Sequence, residues 1–362
     1  MNVISWIMVI FAVLGAVDRM IGNKLGLGKE FEKGIELVGA LTLSMVGMIV
    51  LSPLFAKLLT PLMNVMTGLL DPSVLPAMFF ANDMGGAALS KAVANDTAVG
   101  QFNGLVVAAM MGATFSFTLP YAISVVKKEK QKPMLLGLLC GIVTIPIGCF
   151  VGGLCLSIPI LALLINLLPL TVLAVIIAIG LIKFPDISVK IFSVLGQIIK
   201  ILVTIGLIVG IFEFLTGVKI LPYTESLNVG MDIVINAMCV LAGALPLIKV
   251  LSIVLQKPIE KLSKAFGIGN TATVGLLSCL ANSATTFGMM NEMDDKGIIY
   301  NAAFSVSGAF ILADHLAFTL AFDSACLLPV LLSKLIAGIL GIIVAVFVTN
   351  RKKEKNGLQK LL

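Results

Sequence analysis

Apolar runs of about 18 residues or more recur along the whole chain and are separated by short charged loops. Hydrophobic residues make up 59% of the 362 residues, and charged residues make up only 12%. A soluble domain carries roughly twice that share of charge. Runs of this length match the thickness of the hydrocarbon core of a bilayer when they are helical. The sequence therefore predicts an all-α integral membrane protein with many spanning helices.

About nine apolar segments have the length of a spanning helix, and two more are apolar but interrupted in their middle. The predicted spans are 2–20, 35–58, 98–126, 134–156, 159–182, 201–218, 230–254, 298–322 and 327–350. Residues 60–97 and 258–297 are predicted to be re-entrant helical hairpins. Non-helical backbone at membrane depth is tolerated only inside the protein or along a wet cavity. We therefore expect the two hairpin tips to face each other within the molecule.

The two interruptions share a pattern of small and polar residues. The first contains Ala81–Gly86 and the second contains Ala281–Thr286, and both begin with Ala-Asn. In each, an acidic residue lies seven residues before a second asparagine, which is Asn103 or Asn301. A polar break that occurs twice in an apolar chain is typical of an inverted-repeat secondary transporter, in which the substrate binds where the breaks meet.

The order of the predicted segments divides the chain into two units of opposite orientation. The first inverted repeat is predicted over 1–157 and the second over 184–350, with a connecting span over 158–183 and a basic tail over 351–362. The single connecting span reverses the orientation of the second unit relative to the first. This arrangement is the plan of many secondary transporters.

Positive charge lies mainly on one side of this arrangement, in the loops around 19–33, 127–132, 183–200 and 249–264 and in the tail. The other side holds Lys57, Lys91, Lys219 and Lys334. Loops rich in lysine and arginine stay in the cytoplasm. This charge bias predicts that the N-terminus lies outside the cell and that the C-terminus lies in the cytoplasm. Because the net charge of +6 lies in these loops, it sets topology and does not indicate nucleic-acid binding.

The polar residues of the two breaks and of the adjoining spans are the candidates for substrate binding. Asp314 and His315, the only histidine, fall within the span 298–322, where a charge costs several kcal/mol and normally faces a cavity. His315 is either a proton relay or a hydrogen-bond partner of a neighbouring helix. The predicted substrate-binding residues are Asn82, Asp83, Asn103, Asn282, Ser283, Thr285, Asn301 and Asp314.

Catalytic, metal and cofactor sites are not predicted. The six cysteines lie in apolar stretches without a Cys-x-x-Cys pair or a histidine partner, which favours buried small side chains over metal ligands or disulfides. The sequence contains no phosphate-binding loop, no Gly-x-Ser-x-Gly turn and no His-Glu-x-x-His motif. These features argue against an enzyme and against a pump driven by ATP.

Several stretches resemble the ethanolamine permease family of the ethanolamine-utilisation operons. The likeness is carried by Phe79–Gly86, Gln101–Gly104, Gly112–Pro120 and Ala313–Leu316, and it extends over the whole chain. The resemblance implies a multi-pass protein of the bacterial inner membrane that imports ethanolamine for catabolism. It gives no assignment of the binding residues.

The implied substrate fits the candidate residues. Ethanolamine is a small cation at neutral pH, so its ammonium group needs a carboxylate and its hydroxyl group needs an amide or hydroxyl partner. Asp83 and Asp314 supply carboxylates, and we favour Asp83 as the ammonium ligand. The partners for the hydroxyl group are drawn from Asn82, Asn282, Ser283 and Thr285.

Three other interpretations stay open at this stage. A sodium- or proton-coupled carrier of another small polar solute, such as an amino acid or a nucleoside, has the same architecture. A non-transporting membrane sensor needs larger soluble parts than the short loops here provide. A channel needs no alternating conformations. The sequence does not decide the coupling ion or whether the protein forms a homo-oligomer.

Overall fold

The computed structural model of the protein describes residues 3–66 and 70–359. These residues form helices joined by short turns, and no β-strand occurs among them. The helices are α1 (Val3–Met20), α2 (Leu27–Glu36), α3 (Val38–Leu41), α4 (Gly47–Met66), α5 (Val74–Phe79), α6 (Gly86–Val93), α7 (Thr97–Gln101), α8 (Leu119–Val125), α9 (Lys128–Ile142), α10 (Ile145–Cys155), α11 (Ile160–Lys183), α12 (Pro185–Thr216), α13 (Leu227–Phe266), α14 (Asn270–Ala281), α15 (Ser283–Met289), α16 (Asp295–Gly308), α17 (Asp314–Phe322) and α18 (Leu327–Gln359).

Seven stretches of the described chain are long and apolar enough to cross a membrane. They are Leu27–Pro61, Thr97–Val125, Lys128–Cys155, Ile160–Lys183, Val194–Thr216, Leu227–Val254 and Ser324–Asn350. Each of the seven coincides with one predicted span. The predicted first span, 2–20, is helical as α1 but is not among the seven. The prediction of an all-helical, multi-pass membrane protein is confirmed.

Large apolar side chains are exposed along the outer helices. On α11, one face carries Leu161, Leu164, Leu168 and Val172, each at least half exposed, at spacings of three or four residues. Such a face is unfavourable in water but favourable against lipid tails. The exposed apolar faces therefore mark the part of the surface that contacts the bilayer.

The predicted span 298–322 is wrong as a single helix. Helix α16 ends at Gly308, and α17 begins only at Asp314. In the break, the backbone N–H of Phe310 donates to the carbonyl of Cys279 at 3.1 Å, and that of Leu312 donates to Leu280 at 2.9 Å. The last carbonyls of a helix have no partner within it. The break therefore exists because the end of α14 and the interrupted helix satisfy each other's backbone groups.

Two pairs of short helices occupy the predicted hairpins. Helices α5 and α6 have 6 and 8 residues, and α14 and α15 have 12 and 7, so none reaches the roughly 20 residues that a spanning helix needs. The predicted hairpin boundaries are wider than the short helices: α4 runs on to Met66, and α13 continues through Pro258 to Phe266. The tail predicted over 351–362 continues α18 to Gln359, and 360–362 lie outside the described residues.

Two buried segments form the centre on which the short helices pack. Phe102–Gly112 is π-helical and buried at every one of its 11 residues, and Gly297–Gly308 of α16 is buried throughout. Helices α5 and α6 contact the first segment, whereas α14 contacts α16. π-Helical segments are rare and frequently mark functional sites.

The second asparagine of each sequence pattern binds the beginning of the adjoining short helix pair. The side-chain amide of Asn103 donates to the hydroxyl of Ser73 at 2.9 Å, and that of Asn301 donates to the carbonyl of Ala272 at 2.9 Å. Asp96 and Asp294, seven residues earlier, each accept a hydrogen bond from the first turn of the following helix. The repeated spacing therefore encodes a helix cap and an inter-helix tie in both halves.

The first break rests directly on the central π-helical segment. A Cβ atom built on Gly112 would lie 2.0 Å from the carbonyl oxygen of Phe80, so only glycine allows this approach. A Cβ atom on Gly39, which is exposed, would meet no atom within 4 Å.

We predict that Gly112→Ala lowers the free energy of unfolding by about 1–3 kcal/mol, because a backbone carbonyl cannot turn aside as a side chain can. The matched control, Gly39→Ala, is expected to leave it unchanged or slightly raised. Thermal unfolding in detergent measures both variants. An unchanged midpoint for Gly112→Ala would contradict the close packing of the first break.

Candidate functional site

The first break carries Asp83 into contact with the broken helix of the second half. Asp83 lies in the turn Asn82–Met84 between α5 and α6, and its Oδ1 atom is 4.0 Å from Nε2 of His315 in the first turn of α17. Gly85 completes the turn with a φ of +101°, and a Cβ atom there would lie 1.8 Å from Cγ of Met48. Only glycine therefore permits this turn geometry.

Several residues of the two tips and of α17 have buried polar atoms without a hydrogen-bond partner in the described part of the chain, as do Asn301 and Ser307 of α16. Asn82 is fully buried, yet neither atom of its side-chain amide has a hydrogen-bond partner in the described part of the chain. The hydroxyl of Ser283 and Nδ1 of His315 are also buried without a partner. Each such atom costs about 1–3 kcal/mol, and native proteins retain few of them. The three residues therefore offer donors and acceptors to a ligand.

A cavity of about 670 Å³ leads to the second break. Asn282, Thr285 and Asp314 line it, and Glu30, Lys33 and Lys249 also contribute charged side chains to its wall. The Asn282 side chain caps α15 by accepting a hydrogen bond from the backbone N–H of Ala284 at 2.8 Å. The cavity therefore gives access to the second tip and to the carboxylate at the start of α17.

Lys334, one of the few basic residues that the charge distribution places on the outer side, is a buried ionisable residue within a helix. It lies within α18, is only 1% exposed, and donates from Nζ to the carbonyl oxygen of Ala109 at 2.9 Å. Lys334 is eight residues into the apolar run that begins at Leu327, and this position was the available signal for a buried cation.

Two partly buried carboxylates belong to the site, Asp83 at the first tip and Asp314 at the start of α17. A charge at membrane depth costs several kcal/mol unless a partner balances it. No cluster of histidine, cysteine and acidic residues suited to a metal ion occurs among the described residues. The two carboxylates are suited to pair with a small organic cation.

Aromatic rings border the site on the side of the helix break. The ring of Phe310 lies 5.3 Å from that of His315, and the ring of Phe117 lies 5.6 Å from Phe310. Phe310 has a φ of +60°, which is uncommon for a bulky residue and marks a backbone held in place by its surroundings. Aromatic faces attract a small cation.

The structure separates the predicted site residues into two groups. Those gathered at the two tips and at the start of α17 are Asn82, Asp83, Asn282, Ser283, Thr285, Asp314 and His315. Asn103 and Asn301 lie at the far ends of the short helices. The amide of Asn103 is paired with Ser73 and with Asn166, and the amide nitrogen of Asn301 donates to two backbone carbonyls, so both residues support the helix packing. The Oδ1 atom of Asn301 has no partner in the described part of the chain.

The unpaired and the paired asparagine give opposite expectations for the same substitution. We predict that Asn82→Leu raises the free energy of unfolding by about 1 kcal/mol or more, since it removes two buried atoms without partners. Asn103→Leu is predicted to lower it by about 1–3 kcal/mol, since it leaves partners unpaired. Both residues are fully buried, so thermal unfolding in detergent compares them directly. A destabilised Asn82→Leu variant would contradict the assignment of free ligand-binding groups.

Comparison with known proteins gives one consistent family. The family model described as ethanolamine utilisation protein, EutH, matches residues 1–348. A probable ethanolamine permease EutH of Listeria monocytogenes serotype 1/2a (strain 10403S) is 41% identical over 357 residues, which cover 98% of this chain and 96% of the relative. The relative in Escherichia coli (strain K12), with the same description, is 33% identical over 97% of this chain and 96% of its own length.

A third relative, a probable ethanolamine permease EutH of Salmonella typhimurium (strain LT2), is 34% identical over 95% of this chain and 94% of its own length. No solved structure shows a significant match. The family model and the three relatives each span nearly the whole chain, which confirms the resemblance found in the sequence. The chain belongs to the ethanolamine utilisation protein EutH family.

Proposed function

We propose that the protein imports protonated ethanolamine into the cell by alternating access, with the substrate bound between the two tips and the broken helix. The relatives carry the name of a permease, so the chain belongs to a family of transporters and not of enzymes. The observation that carries the substrate proposal is a pair of partly buried carboxylates, Asp83 at the first tip and Asp314 at the start of α17, beside buried polar atoms that have no partner in the described part of the chain. A carboxylate in this setting is a partner for the ammonium group of a small cation.

The unpaired atoms of the site match both ends of ethanolamine. The ammonium group has three N–H donors, and Asp83, with a side chain 15% exposed, is the carboxylate that faces the site from the first tip. The hydroxyl group both donates and accepts, as do the side-chain amide of Asn82 and the hydroxyl of Ser283. A charge-assisted hydrogen bond is roughly twice as strong as a neutral one. Asp83 therefore supplies most of the binding energy in this proposal.

The cavity at the second tip supplies the exit path. Lys33 and Lys249 line it, and the distribution of positive charge assigns both to the cytoplasmic side. A substrate released past Asp314 thus leaves into the cytoplasm. This orientation has the N-terminus outside and the C-terminus inside a bacterial inner membrane.

In this proposal, an inverted repeat places the two tips opposite each other. The repeats extend over 1–157 and 184–350, and the matching helix caps and asparagine ties in the two halves support them. In this proposal, the short helix pairs are re-entrant and their tips move relative to the central segments. Alternating access in inverted-repeat carriers is largely the rocking of one unit against the other around a fixed site.

We predict that Asp83→Asn reduces ethanolamine uptake into proteoliposomes at least about a hundredfold, because an unpaired ammonium group at membrane depth costs several kcal/mol. Uptake by the natural protein should rise with an imposed inside-negative potential, which contributes about 2.3 kcal/mol per charge per 100 mV. Asp295→Asn is the control, since its side chain is 73% exposed and pairs with Lys130 at the surface. That variant is expected to transport normally.

Competing solutes separate the contributions of the two ends of the substrate. Ethylamine keeps the ammonium group and should compete with labelled ethanolamine, whereas ethylene glycol keeps only hydroxyl groups and should not. Undiminished uptake by folded Asp83→Asn, or equal competition by ethylene glycol, would contradict an ammonium site at the first tip. Competition by an amino acid or a nucleoside would favour a carrier of another solute.

A proton-coupled mechanism is the second candidate, and the position of His315 favours it. Its Nε2 atom faces Asp83 at 4.0 Å, and its Nδ1 atom has no partner in the described part of the chain. A histidine with one nitrogen beside a carboxylate and the other free has the geometry of a proton relay.

Substituting His315 distinguishes the proton-coupled carrier from the uniporter. If protons are coupled, an imposed pH gradient accelerates uptake by the natural protein, and His315→Gln loses that acceleration while it keeps the response to membrane potential. We predict the uniporter result, in which a pH gradient alone gives no accumulation in either protein. If a pH gradient alone drove accumulation in the natural protein but not in His315→Gln, the result would favour the proton-coupled carrier over the uniporter.

A further inference from the structure

A serine just beyond the central π-helical segment is joined to the first tip by a long-range hydrogen bond. Ser116 lies within Thr114–Thr118, which is also π-helical, and its side chain is buried. Its hydroxyl group donates to the carbonyl of Gly112 at 2.8 Å and accepts a hydrogen bond from the backbone N–H of Ala81 at 3.1 Å. Ala81 immediately precedes the turn Asn82–Met84. The serine is therefore attached to the beginning of the first tip.

The backbone N–H of Ala81 needs an acceptor from another part of the chain. Helix α5 ends at Phe79, and Phe80 is extended, so the chain has left the helix before it reaches Ala81. Ala81 is buried, and a buried N–H group without a partner costs about as much as a lost hydrogen bond. In the second break, the matching residue, Ala281, is still the last residue of α14. The need for Ser116 therefore arises from the early end of α5.

The carbonyl of Ala81 closes the turn that follows it. This carbonyl accepts from the backbone N–H of Met84 at 3.0 Å and from that of Gly86 at 2.8 Å. The Sδ atom of Met84 also lies 3.9 Å from Oγ of Ser116. The serine thus contacts residues on both sides of Asp83, and a displacement of Ala81 would carry the Asp83 carboxylate with it.

We propose that Ser116 is a positioning residue for the substrate site and fixes the carboxylate of Asp83 and the amide of Asn82 relative to the broken helix. The inference rests on the proposed function, because it assigns a role to Ser116 at the same site. Ser116 acts through its hydrogen bond with Ala81 and makes no contact with substrate in this scheme. A binding site must be held within about 0.5 Å of its productive geometry, so a loosened turn weakens binding.

Thr114, two residues earlier, provides a matched control. Its hydroxyl group donates to the carbonyl of Met110, as that of Ser116 donates to Gly112, in each case four residues back along the chain. Thr114 is also buried, but its second contact is the carbonyl of Val306 on α16, at 3.3 Å, and not the first tip. Ser116→Ala and Thr114→Val therefore both remove a buried hydroxyl group, and Ser116→Ala is the one that releases the tip.

Two measurements on the full chain in detergent separate positioning from packing. Isothermal titration calorimetry gives the dissociation constant for ethanolamine, and hydrogen exchange of the peptide Phe79–Gly86 reports the opening of the first tip. Ser116→Ala is expected to raise the dissociation constant about tenfold or more and to speed this exchange, because the N–H of Ala81 loses its acceptor. Thr114→Val is expected to keep both within about threefold of the natural protein, even where it lowers the thermal midpoint.

A conservative variant grades the strength of the same hydrogen bond. Ser116→Cys keeps a side chain of similar shape, but sulfur is a weaker acceptor than a hydroxyl oxygen. Its dissociation constant for ethanolamine should therefore lie between those of the natural protein and Ser116→Ala.

The outcomes separate this inference from the proposed function. A raised dissociation constant and faster exchange of the first tip in Ser116→Ala, with neither change in Thr114→Val, support the positioning role. Natural affinity in folded Ser116→Ala, or an equal loss of affinity in Thr114→Val, would overturn it and leave ethanolamine transport in place. If the natural protein bound no ethanolamine, the proposed function itself would fail, and the exchange rates would still decide whether Ser116 holds the tip.

Discussion

Buried charge in a low-dielectric interior is the constraint on which the organisation of this protein depends. Asp83, Asp314 and Lys334 are carried by three different parts of the chain, and each is at least partly buried inside the molecule. None of them is stable alone at membrane depth, because hydrocarbon offers no water to solvate a charge. The fold brings them together by ending helices early: two pairs of short helices and one broken helix place polar side chains where spanning helices would place apolar ones.

The contrast among the asparagines shows how the protein divides structural and functional roles. Asn103 is as buried as Asn82, but its amide is paired with Ser73 and Asn166 and stabilises the packing of helices. The amide of Asn82 has no partner in the described part of the chain. An unpaired buried amide lowers stability, and such costs are retained mainly at binding sites. For these two asparagines, hydrogen bonding therefore distinguishes the residue that stabilises the helix packing from the residue that we propose binds substrate.

The sequence predicted the helical membrane fold and the two polar breaks because both leave local signals, in apolar length and in the repeated Ala-Asn. It did not predict the break between α16 and α17. That segment, Ala309–Ala313, is entirely apolar, and long-range hydrogen bonds to Cys279 and Leu280 hold it. The sequence did not predict that Lys334 is buried, because the burial of a side chain on a helix depends on the helices that pack around it. Which polar atoms pair is tertiary information, so the different hydrogen bonds of Asn282 and Asn301 could not be predicted from the sequence.

The most direct test of the account is an experimental structure of the protein at saturating ethanolamine. We predict that the ammonium group lies within about 3 Å of the Asp83 carboxylate and that the hydroxyl group pairs with Asn82 or Ser283. The substrate should lie between the first tip and the start of α17, next to the cavity lined by Asp314. Ethanolamine bound at another place, with the amide of Asn82 still unpaired, would contradict the central claim that the two breaks form a cation site.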